Sequence, residues 1–90
     1  MSGNVTFDTS TFYLDSSNNR VGIGTASPAV QFDVHDTTTS TANTGGKIRL
    51  SANDGAAMGD SHRLGVVEFS GAEDSSGTQI VGARIEALTD

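Results

Sequence analysis

The chain has no cysteine and no tryptophan, and only one proline, one tyrosine and four phenylalanines in 90 residues. Without cysteine, no disulfide can staple a small fold, and any redox compartment is compatible. Hydrophobic residues reach only 34%, while about half of the chain is Gly, Ser, Thr, Asn or Asp. A domain of this length buries only about 60% of its unfolded surface even with an ordinary core, and this chain has less apolar material than that. Either part of it is disordered or other chains complete its fold. The apolar residues come in alternating pairs and triplets instead of being evenly diluted, which favours completion by other chains. Basic residues are scarce too: five Lys and Arg against eleven Asp and Glu give a formal charge of −6. Five cations cannot neutralise a phosphate track, which argues against a nucleic-acid partner. No apolar run approaches the roughly 20 residues of a membrane span, so no membrane insertion is expected. No signal peptide is legible in Met1-Ser2-Gly3.

What is present reads as short strands. Val5 and Phe7, then Phe12 and Leu14, alternate with polar residues. Asp15 to Asn19 is a dense turn cluster between them and the return strand Arg20 to Gly24, which is a hairpin signal. Its Asn pair suits a tip, because Asn tolerates positive φ. Ser27-Pro28 forces an extended or turning backbone, and Val30, Phe32 and Val34 make a third period-2 strand. Asp36 to Gly46 has no apolar residue larger than Ala42 and reads as a linker or long loop. Beyond it Ile48 and Leu50 alternate on an expected short strand, and Ser51 to His62 reads as loop. Leu64 to Gly71 is a strand whose adjacent Val66 and Val67 call for a β-bulge or burial on both faces. Ile80 to Thr89 fits a helical stripe or a strand with Arg84 and Glu86 outward; with no helix elsewhere to pack on, it is assigned as a strand.

The wording of one stretch says more than its spacing. Asn18-Asn19-Arg20-Val21-Gly22-Ile23-Gly24-Thr25, then Ser27-Pro28 and Phe32-Asp33-Val34, resembles the NNRVGIGT-x-SP…(L/F)DV signature of bacteriophage tail-fibre and related receptor-binding appendage proteins. The resemblance covers Asn4 to Val34 and is most specific at Asn19 to Thr25 with Pro28. Such proteins are usually trimers. The resemblance implies an all-β fold of short strands and hairpins in an elongated, intertwined, fibre-like homotrimer. Composition divides the chain into a β-rich signature segment with a hairpin over 1–36, a Thr- and Gly-rich linker over 37–46 and a second β-rich segment over 47–90. Since resembling sequences run on into further β repeats, the last is expected to be truncated at its C-terminus. The implied role is a structural segment of a virion tail fibre, involved in host attachment and made in the host cytoplasm. Its partners would be two further copies of itself, other virion tail proteins, and a host surface glycan or protein. Two rival readings remain: a bacterial surface adhesin repeat, which a signal peptide or anchor in flanking sequence would favour, and a glycan-processing tailspike fragment. The second would need paired carboxylates and sugar-stacking aromatics, and only Tyr13 and the Phe residues are on offer.

Motifs for other chemistry fall short. Gly22-Ile23-Gly24 lacks the third glycine of a dinucleotide fingerprint and is followed by Pro28 and a strand where a helix should open. Gly46-Lys47 is followed by Ile48 where a phosphate loop needs Ser or Thr. Asn53-Asp54-Gly55 with Asp60 lacks the alternating ligands and closing Glu of a calcium loop. Asn4-Val5-Thr6 matches a glycosylation acceptor but has no secretory context. His35 and His62 are the only imidazoles, with no Cys or second His at ligand spacing. No catalytic, cofactor-binding or metal residue is assigned, and no enzymatic activity is expected. In the signature strand, period 2 puts Val21 and Ile23 on the shared core and Arg20 and Gly22 on the other face, with the Arg20 head in water.

Overall fold

The computed structural model describes residue 3 and residues 5–90, and every regular element among them is a β-strand. The all-β expectation holds. The strands belong to two sheets. β1 (Val5–Phe7), β2 (Phe12–Asp15), β3 (Arg20–Ile23) and β4 (Phe32–Val34) form one sheet in chain order, and β5 (Arg63–Ala72) and β6 (Gln79–Leu88) form the other. The chain divides into two compact units, Met1–Ile48 and Arg49–Asp90, with one sheet in each.

In the first unit, β1 and β2 pair antiparallel with Phe7 opposite Phe12. Between them the Asp8 carbonyl accepts the Ser10 and Thr11 N–H groups, and Asp8 and Thr9 both take positive φ. β2 and β3 also pair antiparallel, with Asp15 opposite Arg20. The turn cluster forms the expected hairpin. The Asp15 carboxylate accepts the Asn18 backbone N–H at 3.3 Å and its side-chain amide at 2.9 Å, and Asn19 supplies the left-handed residue (φ 56°). β3 and β4 then pair in parallel, with Val21 opposite Phe32 and Ile23 opposite Val34. Parallel neighbours usually need a crossover of about a dozen residues or more, and here residues 24–31 suffice. Past β4, residues 36–46 fold back on a clasp. Asp36 accepts the Thr38 N–H and hydroxyl on one oxygen and the Gly45 N–H, at 2.9 Å, on the other.

The second unit is one long antiparallel hairpin. Its turn is organised by Asp74, whose carboxylate accepts the Ser76 and Thr78 N–H groups, while Glu73 N–H bonds the Thr78 carbonyl at 2.8 Å. Its open end is tied by Thr89. The Thr89 N–H donates to the His62 carbonyl, its carbonyl accepts from Ser61, and its hydroxyl donates to the Gly59 carbonyl.

Four details depart from the sequence reading. The third strand starts at Phe32, and Val30 lies in the preceding bend, where the chain is still turning around Pro28. Gly24 is a bend residue, not the end of β3. Ile48 and Leu50 are not in a strand, because no neighbour pairs with them; Leu50 instead lies over Gly65. The irregularities of the β5–β6 ladder fall between Arg63 and Gly65 and between Phe69 and Ser70, and Val66 and Val67 pair regularly with Glu86 and Ile85. Val66 is half-buried and Val67 exposed, so neither a bulge at that pair nor burial on both faces accounts for it.

Candidate assembly surface

The signature residues act as a scaffold that fixes β3 between β2 and β4. Gly22 has no room for a side chain, because a Cβ there would collide with the Thr25 carbonyl. Gly24 takes φ +81° and lies against the His35 carbonyl, a conformation and a clearance that only glycine meets. The Thr25 hydroxyl accepts the Ser27 N–H at 3.0 Å, and the Asp33 carboxylate accepts the Ala29 N–H at 2.9 Å. Arg20 reaches the other way and donates from Nη1 to the Pro28 carbonyl at 3.1 Å. The guanidinium thus clasps the crossover loop; its head does not simply extend into water. Backbone bonds complete the pairing, from Val21 N–H to the Gln31 carbonyl (2.7 Å) and from His35 N–H to the Ile23 carbonyl (2.8 Å). Gly22 and Pro28 are the buried residues of the described chain, and both belong to this clasp. Sequence reasoning placed the glycines for close backbone approach but missed the Arg20 and Asp33 bonds. The one available signal was two charged residues at the polar positions of short apolar strands.

With the crossover on the Gly22 side, the other face of the sheet is apolar throughout. Strand register places Phe7, Phe12, Leu14, Val21, Ile23, Phe32 and Val34 on it together. The Phe7 and Phe12 rings stand 5.6 Å apart, tilted by 53°. Among the described residues of the first unit nothing covers this face: Phe7 is 60% and Phe32 55% exposed, and Val21 and Ile23 are half-buried.

The hairpin of the second unit divides in the same manner. One face carries Glu68, Arg84, Glu86 and Arg63, and the Glu86 carboxylate bridges both guanidinium groups, at 3.1 Å to Arg63 and 2.9 Å to Arg84. Arg84 and Glu86 therefore point as the period-2 reading expects. The opposite face has no charge and carries Gly65, Val67, Phe69, Ala83, Ile85 and Ala87. Beyond the irregularity at Phe69 and Ser70, where Val81, opposite Ser70, falls on the charged side, it carries Ile80 opposite Gly71. It too is open, with Phe69 54% and Ile85 69% exposed. Among the described residues no Val, Leu, Ile, Met or aromatic side chain is buried.

The residues weighed for other chemistry are engaged locally. Asn53 and Asp54 accept backbone N–H groups of Gly55 and Ala56. The His62 ring lies against Gly59, while His35 contributes its backbone to the β3–β4 pairing. No three His, Asp or Glu side chains among the described residues converge as a metal site would require. Asn4 lies outside the described residues. Two carboxyls are held below their ordinary value: Asp15 by the Asn18 side chain, and Asp36 by the Thr38 and Gly45 backbone N–H groups. Both serve turns. The chain matches no protein-family model, no curated protein and no solved structure.

Proposed function

We propose that the chain is a non-enzymatic structural segment of a bacteriophage tail fibre, involved in host attachment and assembled as a homotrimer. The observation that carries this reading is the pair of open apolar sheet faces, with no buried Val, Leu, Ile, Met or aromatic side chain among the described residues. The signature resemblance supplies the biological setting, and the role it implies is mechanical. Three chains would pool their apolar faces in one core, coat the outside with Thr, Ser and Asp, and remove the sheet edges that a lone chain exposes. Sedimentation equilibrium at micromolar concentration tests the assembly, with three chain masses expected; a folded monomer overturns it. Immunogold labelling of purified phage particles tests the setting, and label absent from the tail overturns that part.

A further inference from the structure

The uncharged face of the β5–β6 hairpin is not flat. Across the two strands Phe69 stands opposite Ala83, and Gly65 opposite Ala87, so an aromatic ridge at one end is matched by a hollow at the other. Gly65 leaves the hollow open from below, and Leu50, lying over Gly65, walls one side. Leu64, Val66, Val67, Ile85 and Ala87 complete the lining of a space of about 300 Å³. A two-stranded hairpin is at best marginally stable in water without further strands or a packing partner, and nothing else in the described second unit covers this face.

We infer that the hollow receives Phe69 from a second copy of this chain, so that the ridge of each hairpin docks head-to-tail into the hollow of the next. Two observations favour a copy as the occupant. The hollow is apolar and large enough for one aromatic side chain, and the same face presents one exposed aromatic, Phe69. The face carries no ionisable or amide side chain, since Gln79 lies with Ser70 on the other side. Two chains of formal charge −6 can therefore meet there without apposing the hairpin's strand carboxylates, Glu68 and Glu86, which stand on the other face. With the ridge of each copy in one neighbour and its hollow filled by another, the contact is heterologous and makes a ring when its rotation closes. Closure at three rests on the trimer proposed above.

A cysteine pair tests the contact. Within one hairpin, positions 69 and 87 are four residues apart along the ladder, about 13 Å at roughly 3.3 Å per residue, beyond disulfide reach. Chains carrying Phe69→Cys and Ala87→Cys together are expected to oxidise into covalent dimers and trimers on a non-reducing gel. Either single variant should give at most dimers. In parallel, Ala87→Phe, which fills the hollow from within its own chain, should shift the sedimenting mass from three chains towards one while the far-ultraviolet β signal is kept. If the parent sediments as a trimer but the cysteine pair forms no interchain ladder and Ala87→Phe still assembles, the docking is wrong and the trimer stands. If the parent is a folded monomer, both fall.

Discussion

The two units reach their local order by different means. In the first, side chains bond to nearby backbone at each change of direction after β2. Asp15 holds the hairpin tip, Arg20 and Asp33 hold the crossover, and Asp36 closes the loop that follows. In the second, two ten-residue strands run together with one organised turn at Asp74 and one tie at Thr89, and the approach to them through residues 49–62 is irregular. The first unit has one sheet face backed by its own crossover; the second has an ion-paired face and an open one. Shape in the first unit comes from turn chemistry within the chain. Shape in the second depends far more on what lies against its apolar side. Both units leave an apolar face open, which is the feature they share and the one that assembly would remove.

The largest effect should come from breaking what is shared. Ile23 sits between Phe12 and Val34 on the open face of the first sheet. Ile23→Asp is expected to prevent assembly outright, since three desolvated carboxylates would be brought together. Ile23→Ala should cost about 2–5 kcal/mol per buried site, incurred three times in one trimer. Sedimentation and thermal melting read both. A variant Ile23→Asp that assembled and melted like the parent would put this strand in solvent.

Next come the glycines that make the first unit self-sufficient. Gly24→Ala forces a Cβ into a left-handed residue and against the His35 carbonyl, and about 1–3 kcal/mol of strain is expected. Denaturant unfolding measures it, and the loss should appear with the second unit's face untouched. An unchanged midpoint would mean that the crossover is not fixed by this contact.

How much of this was legible follows from what period 2 encodes. Alternation reports which residues share a face, so β2, β3, β5 and β6 were readable from Phe12-Leu14, Val21-Ile23, the LGVVEFSG run and Val81 to Ala87. The turn at Asp15 to Asn19 was readable because Asn and Asp have specific turn chemistry. Alternation does not report neighbours. Ile48 and Leu50 alternate as well as Phe32 and Val34 do, yet only the latter acquire a partner strand, because Gly22, Gly24 and the buried Pro28 let the chain double back in so few residues. The open faces were legible only as a shortage of apolar residues. The hollow over Gly65 needed the register of β5 with β6 and the placement of Leu50, and no local pattern carries either.

Smaller effects sharpen the contrast between the units. In the second, Glu86→Gln removes the charge that both Arg63 and Arg84 face. The guanidinium side chains are about half exposed, so the loss should stay under about 1 kcal/mol and shrink with added salt. In the first, acid should act on the turn carboxylates. Asp36 and Asp15 have folded values below the ordinary 3.8, so their contribution is fully present above that pH. It is lost as pH falls through the lower folded values. A carboxyl-carbon NMR titration should find both midpoints below 3.8, and Asp36→Asn should abolish the ordering of Gly45. Midpoints at or above 3.8 would remove the clasp from this account.

The smallest effect is expected at the tip of the Asp36 loop. Thr41 and Thr44 bond one another there, with Thr41 N–H to Thr44 Oγ1 at 2.8 Å, and Thr44 also donates to the Thr39 carbonyl. All of these groups are exposed, where water replaces a lost bond at little net cost. The ends of the loop are held elsewhere, by Asp36 on Gly45 and by Gly46 against the Val34 carbonyl, and neither contact depends on the length between them. Lengthening a flexible loop costs only about 0.6 kcal/mol per doubling. Inserting a few Gly-Ser residues beside Thr41 should therefore leave the oligomeric mass unchanged and lower the melting temperature only slightly. The same insertion made between Asp36 and Thr38 should cost more, because it breaks the clasp. If the Thr41 insertion instead abolished assembly, the Thr-rich tip would have to lie inside the subunit interface, and the first unit would be as dependent on its neighbours as the second.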